Sequence, residues 1–432
     1  MPAFLEDYTM LDIIGSGGYA TVYKVRHNQL DYIRAIRVLD KTISSTKDKL
    51  YLNFLEECKL LLRLGNGNHP NIVHIYQPLF KANKAFVEMD FIDGLDLAHY
   101  IKKKSFIEIE EVLLLVEEIS SALAYCHHDI YKFCYYKERD NLEDDPNYGE
   151  KPYINAEIEK RLVEKYRVIH NDIHARNIMR RENGHYVLLD FGLAIEGSNI
   201  IRSSKRRNGV PQYKSPEKWD NEDVISTESD IYSLGVVLYE FLTGRVPFQY
   251  NQQNSNKTEA EHQLFLAHKK QIPPSIYEER KKTFEKVYPG KIYQKDYPDW
   301  LEKLIMRCLE KKPKDRFHDG KELYEFVKNE KFKKKSSGPT VIDKIWDKLR
   351  GKDKDSFFDE DFVKHPQSDM RVDERGKKTG DPFFDDSTSK RNLNTAKGND
   401  KDLFFDRVYC KEKSKVTENR SKKTHDPFFD KN

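Results

Sequence analysis

Cysteine is scarce: Cys58, Cys126, Cys134, Cys308 and Cys410 are five residues in 432, odd in number, scattered and without a C-x-x-C pair. That spacing argues against a disulfide framework or a cysteine zinc site and leads us to expect reduced thiols in a cytoplasmic setting. An excess of one charge is also missing, because 75 Lys and Arg face 72 Asp and Glu for a formal net charge of +3. So close a balance gives no ground for nucleic acid as a partner. No run approaches the ~20 apolar residues needed to cross a bilayer. Met1 to Tyr8 lacks a basic region followed by an apolar one, so neither a leader nor a transmembrane segment is expected. After about Val327 aliphatic residues become few, and Lys, Asp, Ser and Gly take over. Such a segment buries too little apolar surface to offset the entropy of ordering, which predicts a disordered C-terminal tail over 331–432.

The remaining three-quarters of the chain is rich in patterned apolar residues. Tyr8 to Ile14, Thr21 to His27 and Ile33 to Leu39 alternate or run β-branched, and Leu50 to Leu64 has helical spacing, predicting a small sheet with one helix over 8–90. From Leu95 onward helical periodicity dominates, notably in Glu111 to His127, Ser229 to Thr243 and Trp300 to Leu309. An α+β chain with a sheet-based first lobe and a mainly helical second lobe over 91–330 is the expectation. Between 129 and 165 lies an acid-rich stretch too long for an ordinary helix connection, which reads as an insertion.

Three stretches carry chemistry. Gly15-Ser16-Gly17-Gly18-Tyr19-Ala20-Thr21-Val22 falls between two predicted strands, where absent Cβ atoms let backbone N–H groups close over phosphates, although a glycine hairpin has the same look. His170-Asn171-Asp172-Ile173-His174-Ala175-Arg176-Asn177 is followed by Asp190-Phe191-Gly192. This sets an acid, an amide and a second acid within a short span, a group that can serve as a base and a cation site.

In this order the motifs resemble those of the eukaryotic-type protein kinase family: a Gly-rich loop, an H-R-D-x-x-x-x-N catalytic loop and a D-F-G motif. Ser215-Pro216-Glu217 stands where the family has A-P-E, the Ser229–Gly235 run resembles its central helix, and Arg316 falls where an arginine pairs with the A-P-E glutamate. The resemblance covers about 8–330 and implies a bilobal kinase fold, ATP and Mg²⁺, and transfer of the γ-phosphoryl group to a protein hydroxyl. It further implies that Asp172 accepts the hydroxyl proton and that Asn177 and Asp190 hold Mg²⁺. Gly15, Ser16, Gly17 and Gly18 would cover the phosphates. Val22, Ala35 and Met179 would sandwich the adenine, Met89 would back it, and the hinge would run from Asp90 to Ile92. Glu57, or its neighbour Glu56, aligns with the helix glutamate of the family.

The pattern breaks in named places. Arg34-Ala35-Ile36-Arg37 puts arginine where V-A-I-K has the lysine that meets both phosphates and helix glutamate, and the two cations are not interchangeable at a positioned contact. Asn171 replaces the H-R-D arginine, which in many relatives meets a phosphorylated residue, so switching by that route is not expected here. Ser203 and Ser204 beside Lys205-Arg206-Arg207 fit either phosphorylation sites or a solvated loop. His174 and Val210 stand where serine/threonine kinases carry Lys and Thr, yet Gly209-Val210-Pro211-Gln212-Tyr213 is nearer their pattern than the tyrosine-kinase one. Serine/threonine specificity is the choice. The rival readings are an ATP-binding pseudokinase scaffold and a kinase-like small-molecule phosphotransferase.

The tail repeats a motif. D-x-F-F-D occurs four times, at Asp355, Asp381, Asp402 and Asp426, at spacings of roughly 20 to 26 residues. Paired phenylalanines in polar chain suit an apolar groove on a partner protein, with avidity from repetition, or on the chain's own catalytic domain. Ile342, Ile345, Trp346 and Leu349 share one predicted helical face that could dock on the catalytic lobe, a partner or a membrane surface.

Overall fold

The computed structural model describes residues 6–16, 20–43, 45, 47–65, 68–81, 83–140, 154–197, 209–219, 225–249 and 257–333. Gly17, Gly18, Ser203, Ser204, Cys410, the 342–349 face and all four D-x-F-F-D copies lie outside them.

The first lobe is an antiparallel sheet of β1 (Tyr8–Ser16), β2 (Ala20–His27), β3 (Ile33–Leu39), β4 (Ile75–Lys81) and β5 (Lys84–Asp90), in the order β1-β2-β3-β5-β4. Helix α1 (Lys49–Gly65) joins β3 to β4. It buries Phe54, Cys58, Leu61 and Leu64, the three- and four-residue spacing that puts one stripe against the sheet. Glu57 lies in the same stripe.

Past Asp90 the chain is mostly helical. A short β6 (Gly94–Asp96) leads into α2 (Leu97–Lys104) and α3 (Ile109–Ala124), which continues as a π-helical turn at Tyr125–Asp129. The stretch read as an insertion carries helix at both described ends, α4 (Ile130–Asp140) and α5 (Ala156–Tyr166). Next come β7 (Val168–Ile169), β8 (Ile178–Arg181), β9 (Tyr186–Leu188) and β10 (Ile195–Glu196), followed by α6 (Thr227–Thr243), α7 (Lys257–Lys270), α8 (Ile276–Val287), α9 (Asp299–Cys308) and α10 (Gly320–Lys333). β7 pairs with β10, while β6, β8 and β9 form a second small sheet. Helix α6 is buried on nearly every side, which its run of apolar residues permits and an exposed helix would not tolerate.

The segment before β4 stitches the lobes together. Asn71 Nδ2 donates to the Tyr186 carbonyl at 2.8 Å, Leu188 N donates to Asn71 O at 2.8 Å, and Val73 N donates to Leu188 O at 3.0 Å. Among the described residues no helix is long and apolar enough to cross a membrane. Cys58, Cys126, Cys134 and Cys308 are buried free thiols.

Candidate active site

Strand register decides which side chains share the cleft face. Val22 lies opposite Arg37, and Ala35 lies opposite Lys24 on one side and Met89 on the other. Because side chains alternate along a strand, Val22, Ala35, Arg37 and Met89 occupy one face of the sheet. Lys24 joins them, with its ammonium 4.1 Å from the centre of the Phe91 ring. Sequence reading had passed over it. Gly15 and Ser16 form the end of β1 opposite Val22 and Thr21, and Ala20, where the family has the third loop glycine, is buried at the start of β2. The Asp90 carboxylate accepts from Tyr76 Oη at 2.8 Å, and its backbone N–H donates to His74 O at 3.0 Å. Ile92 is buried, and Met179 sits in β8 between Asp96 and Val187.

Arg37 donates from Nη1 to Glu57 Oε1, and Glu57 is 8% exposed. Glu56 is solvent-facing and pairs with Lys59. Of the two glutamates, Glu57 is therefore the one the structure brings to Arg37. Burial works against the guanidinium charge but is outweighed by the Glu57 and Asp190 carboxylates, which hold it above its ordinary value. The Cβ position of Gly192 is 3.1 Å from Asp190 Oδ1 and 3.4 Å from Glu57 Oε2, so both carboxylates border this glycine.

The catalytic loop hangs from α6. Asp230 accepts His170 N at 2.6 Å, Asn171 N at 2.8 Å and His127 Nε2 at 3.0 Å. Burial disfavours its charge, and His127, His170 and the Asn171 amide more than compensate, keeping the carboxyl below its usual range. With both amides held, Asn171 adopts φ +67°, a left-handed turn that asparagine tolerates better than most residues. The His170 ring packs against Phe191 at a 58° tilt with centroids 4.6 Å apart, and its Nε2 donates to Leu189 O at 2.8 Å, tying this loop to the residue before Asp190. Asn177 Nδ2 donates to the Asp172 carbonyl at 2.9 Å, leaving Oδ1 as the amide atom for a cation. Asp190 is exposed, at φ +54°, and accepts from Gly192 N. Burial raises the Asp172 carboxyl, but a His174 contact at 3.7 Å and the charges of His174, His170 and Lys218 hold it below the ordinary value.

Hard oxygen donors on Asp190 and Asn177, an adjacent carboxylate and a paired cation on the sheet face make a donor set whose chemistry fits a divalent cation and a nucleoside triphosphate. Behind it, Glu217 receives a two-pronged bond from Arg316, Oε1 from Nη1 and Oε2 from Nη2, both at 2.9 Å. Ser229 Oγ adds a third donor at 2.8 Å.

The protein kinase domain family matches residues 8–136 and 162–327, leaving 137–161 unmatched. The chain belongs to that family. Curated relatives include a probable serine/threonine-protein kinase of Clostridium acetobutylicum, 26% identical over 325 residues that are 75% of this chain and 40% of the relative. Serine/threonine-protein kinase PrkC of Bacillus subtilis is 26% identical over 322 residues, 74% of this kinase-family chain and 40% of that protein. Sperm motility kinase 2B of Mus musculus is 25% identical over 252 residues, 57% and 42% of the two chains. The chain thus spans about two-fifths of the length of the curated relatives it matches.

Sequence reading of this kinase-family chain missed the contacts made by the segment after 208. Gly209 is at φ +108°, and a Cβ there would lie 3.2 Å from Asp172 Oδ1. Tyr213 Oη donates to Glu240 Oε2, and Lys218 Nζ donates to the Asn171 carbonyl. None of these shows in local pattern, because each depends on a contact 27 to 47 residues away in sequence.

Proposed function

We propose that the chain is a cytoplasmic serine/threonine protein kinase that transfers the γ-phosphoryl group of ATP to hydroxyls of a protein substrate. The observation that carries this reading is the assembled pair Arg37–Glu57 beside Asp190, with Asp172 and Asn177 linked through the same loop. Arg37 orients the phosphates, and Glu57 fixes its guanidinium so that little reorganisation is needed when substrate arrives. Asn177 and Asp190 would hold Mg²⁺, which would neutralise phosphate charge. Asp172, kept ionised by its surroundings, accepts the hydroxyl proton as the oxygen attacks. Val22, Ala35, Met89 and Met179 close on the adenine, and backbone from Asp90 to Ile92 pairs with its edge. Gly15 to Gly18 cover the phosphates. The domain would run from 8 to 330, with 129–165 as an insertion, and the 331–432 tail would recruit a partner protein through D-x-F-F-D.

The test is phosphoamino-acid analysis after incubation with labelled Mg-ATP and mixed protein substrates. Phosphoserine or phosphothreonine that falls at least 10²-fold in Asp172→Ala is expected. Nucleotide binding without any transfer by the native protein would instead identify a pseudokinase scaffold.

A further inference from the structure

Lys218 is a charged side chain in an unusual place. It follows Glu217 directly, so the Arg316 and Ser229 contacts that hold Glu217 also fix the Lys218 backbone. Its residue is 5% exposed, and its ammonium donates to the backbone carbonyl of Asn171, the residue before Asp172. Gly209 brings these groups together from a third direction: its Cβ position is 3.2 Å from Asp172 Oδ1 and 3.9 Å from Lys218 Nζ. Desolvating an ammonium is costly, and the cost is offset only where carbonyl and carboxylate oxygens converge on it. Burial pushes the Lys218 amine below its ordinary value, and the carboxylates of Asp230, Asp172 and Glu217 oppose that shift without cancelling it. The Asn171 side chain offers no cation to a phosphate; its Nδ2 donates to Leu193 O, and among the described residues its Oδ1 has no hydrogen-bond partner.

We propose that Lys218 is a positioning residue for Asp172: its buried Nζ donates to the Asn171 carbonyl and so ties the 209–219 segment to the loop that carries Asp172. The tie is internal to the chain, so the loop is held in its working geometry with no phosphate on the segment before it. The inference rests on Asp172 being the acceptor of the hydroxyl proton. The structural half of it, the tie between segment and loop, is measurable without turnover.

The experiment uses the full chain as native protein, Lys218→Met and Lys218→Gln, the glutamine keeping a donor but no charge. Steady-state transfer and hydrogen–deuterium exchange of the 167–177 backbone are both read. In Lys218→Met, kcat should fall about tenfold or more with the ATP KM within about twofold, as expected for a misplaced base rather than lost nucleotide affinity. Exchange at the His170, Asn171 and Asp172 amides should quicken about tenfold, while α6 stays protected. Lys218→Gln should keep that protection and recover part of the rate. Unchanged exchange in Lys218→Met overturns the proposal even if the native protein transfers no phosphate, and unchanged kcat overturns it in an active enzyme. Loss of α6 protection as well would overturn it by making Lys218 a general stability residue, and native protein without transfer would remove the kinase reading separately.

Discussion

At the scale of single residues, charges buried in pairs hold the helical lobe together. Arg316 is 2% exposed and Glu217 6%; their two parallel bonds engage both carboxylate oxygens, and the remaining Arg316 donors go to the Glu228, Glu310 and Lys311 carbonyls. Removing one partner strands the other, at a cost of about 3–5 kcal/mol, so Arg316→Met should lower the denaturation midpoint of the lobe far more than a surface change would. Burial opposes ionisation of Glu217, but Arg316 and Ser229 prevail and depress its carboxyl. A carboxyl with a depressed folded value contributes stability above its unfolded value, about 4.3 for glutamate, and loses it as pH falls through the folded one. Acid titration followed by fluorescence should therefore show native protein losing stability below about pH 4, and Glu217→Gln should flatten that dependence. The Arg316–Glu217 pairing was readable from motif order. The position of Lys218 was not, because sequence gives a lysine no sign that folding will bury it against a loop carbonyl.

At the scale of elements, strands and helices with strong periodicity were legible. β3 runs from Ile33 to Leu39 as expected, and α6 starts at Thr227, two residues before the expected Ser229, where the Ser226 and Ser229 side chains cap its first turn. Helices α4 and α5 were passed over because both fall in the acid-rich stretch read as an insertion, although Ile158, Leu162 and Tyr166 of α5 recur at helical spacing. Close approach was also invisible. A Cβ on Gly320, the first residue of α10, would lie 2.2 Å from Leu123 C and 2.4 Å from Ala124 N, inside the α3 backbone. Backbone cannot move aside as a side-chain tip can, so Gly320→Ala should cost about 1–3 kcal/mol or more and lower the thermal midpoint by several degrees. A calorimetric scan checks this. An unchanged midpoint would mean that α3 and α10 pack differently.

At the scale of the whole chain, composition alone marked the change near residue 330, where aliphatic residues thin out and the family match stops at 327. The eight phenylalanines of the D-x-F-F-D copies are expected to act on recruitment, not turnover. Replacing Phe357, Phe358, Phe383, Phe384, Phe404, Phe405, Phe428 and Phe429 by alanine should leave transfer to a generic peptide within about twofold, while weakening capture of a tail-binding partner by about 10² or more through lost avidity. The measurement that tests the account most directly is single-turnover phosphoryl transfer by native protein, Arg37→Lys and Arg37→Met at saturating Mg-ATP. The account predicts transfer by the native arginine enzyme that does not rise in the lysine variant, whose ammonium is not an equivalent contact, and a fall of about 10²-fold or more in the methionine variant, which leaves Glu57 without its cation. No transfer by native protein with gain in Arg37→Lys would contradict it, by making the arginine a block to catalysis.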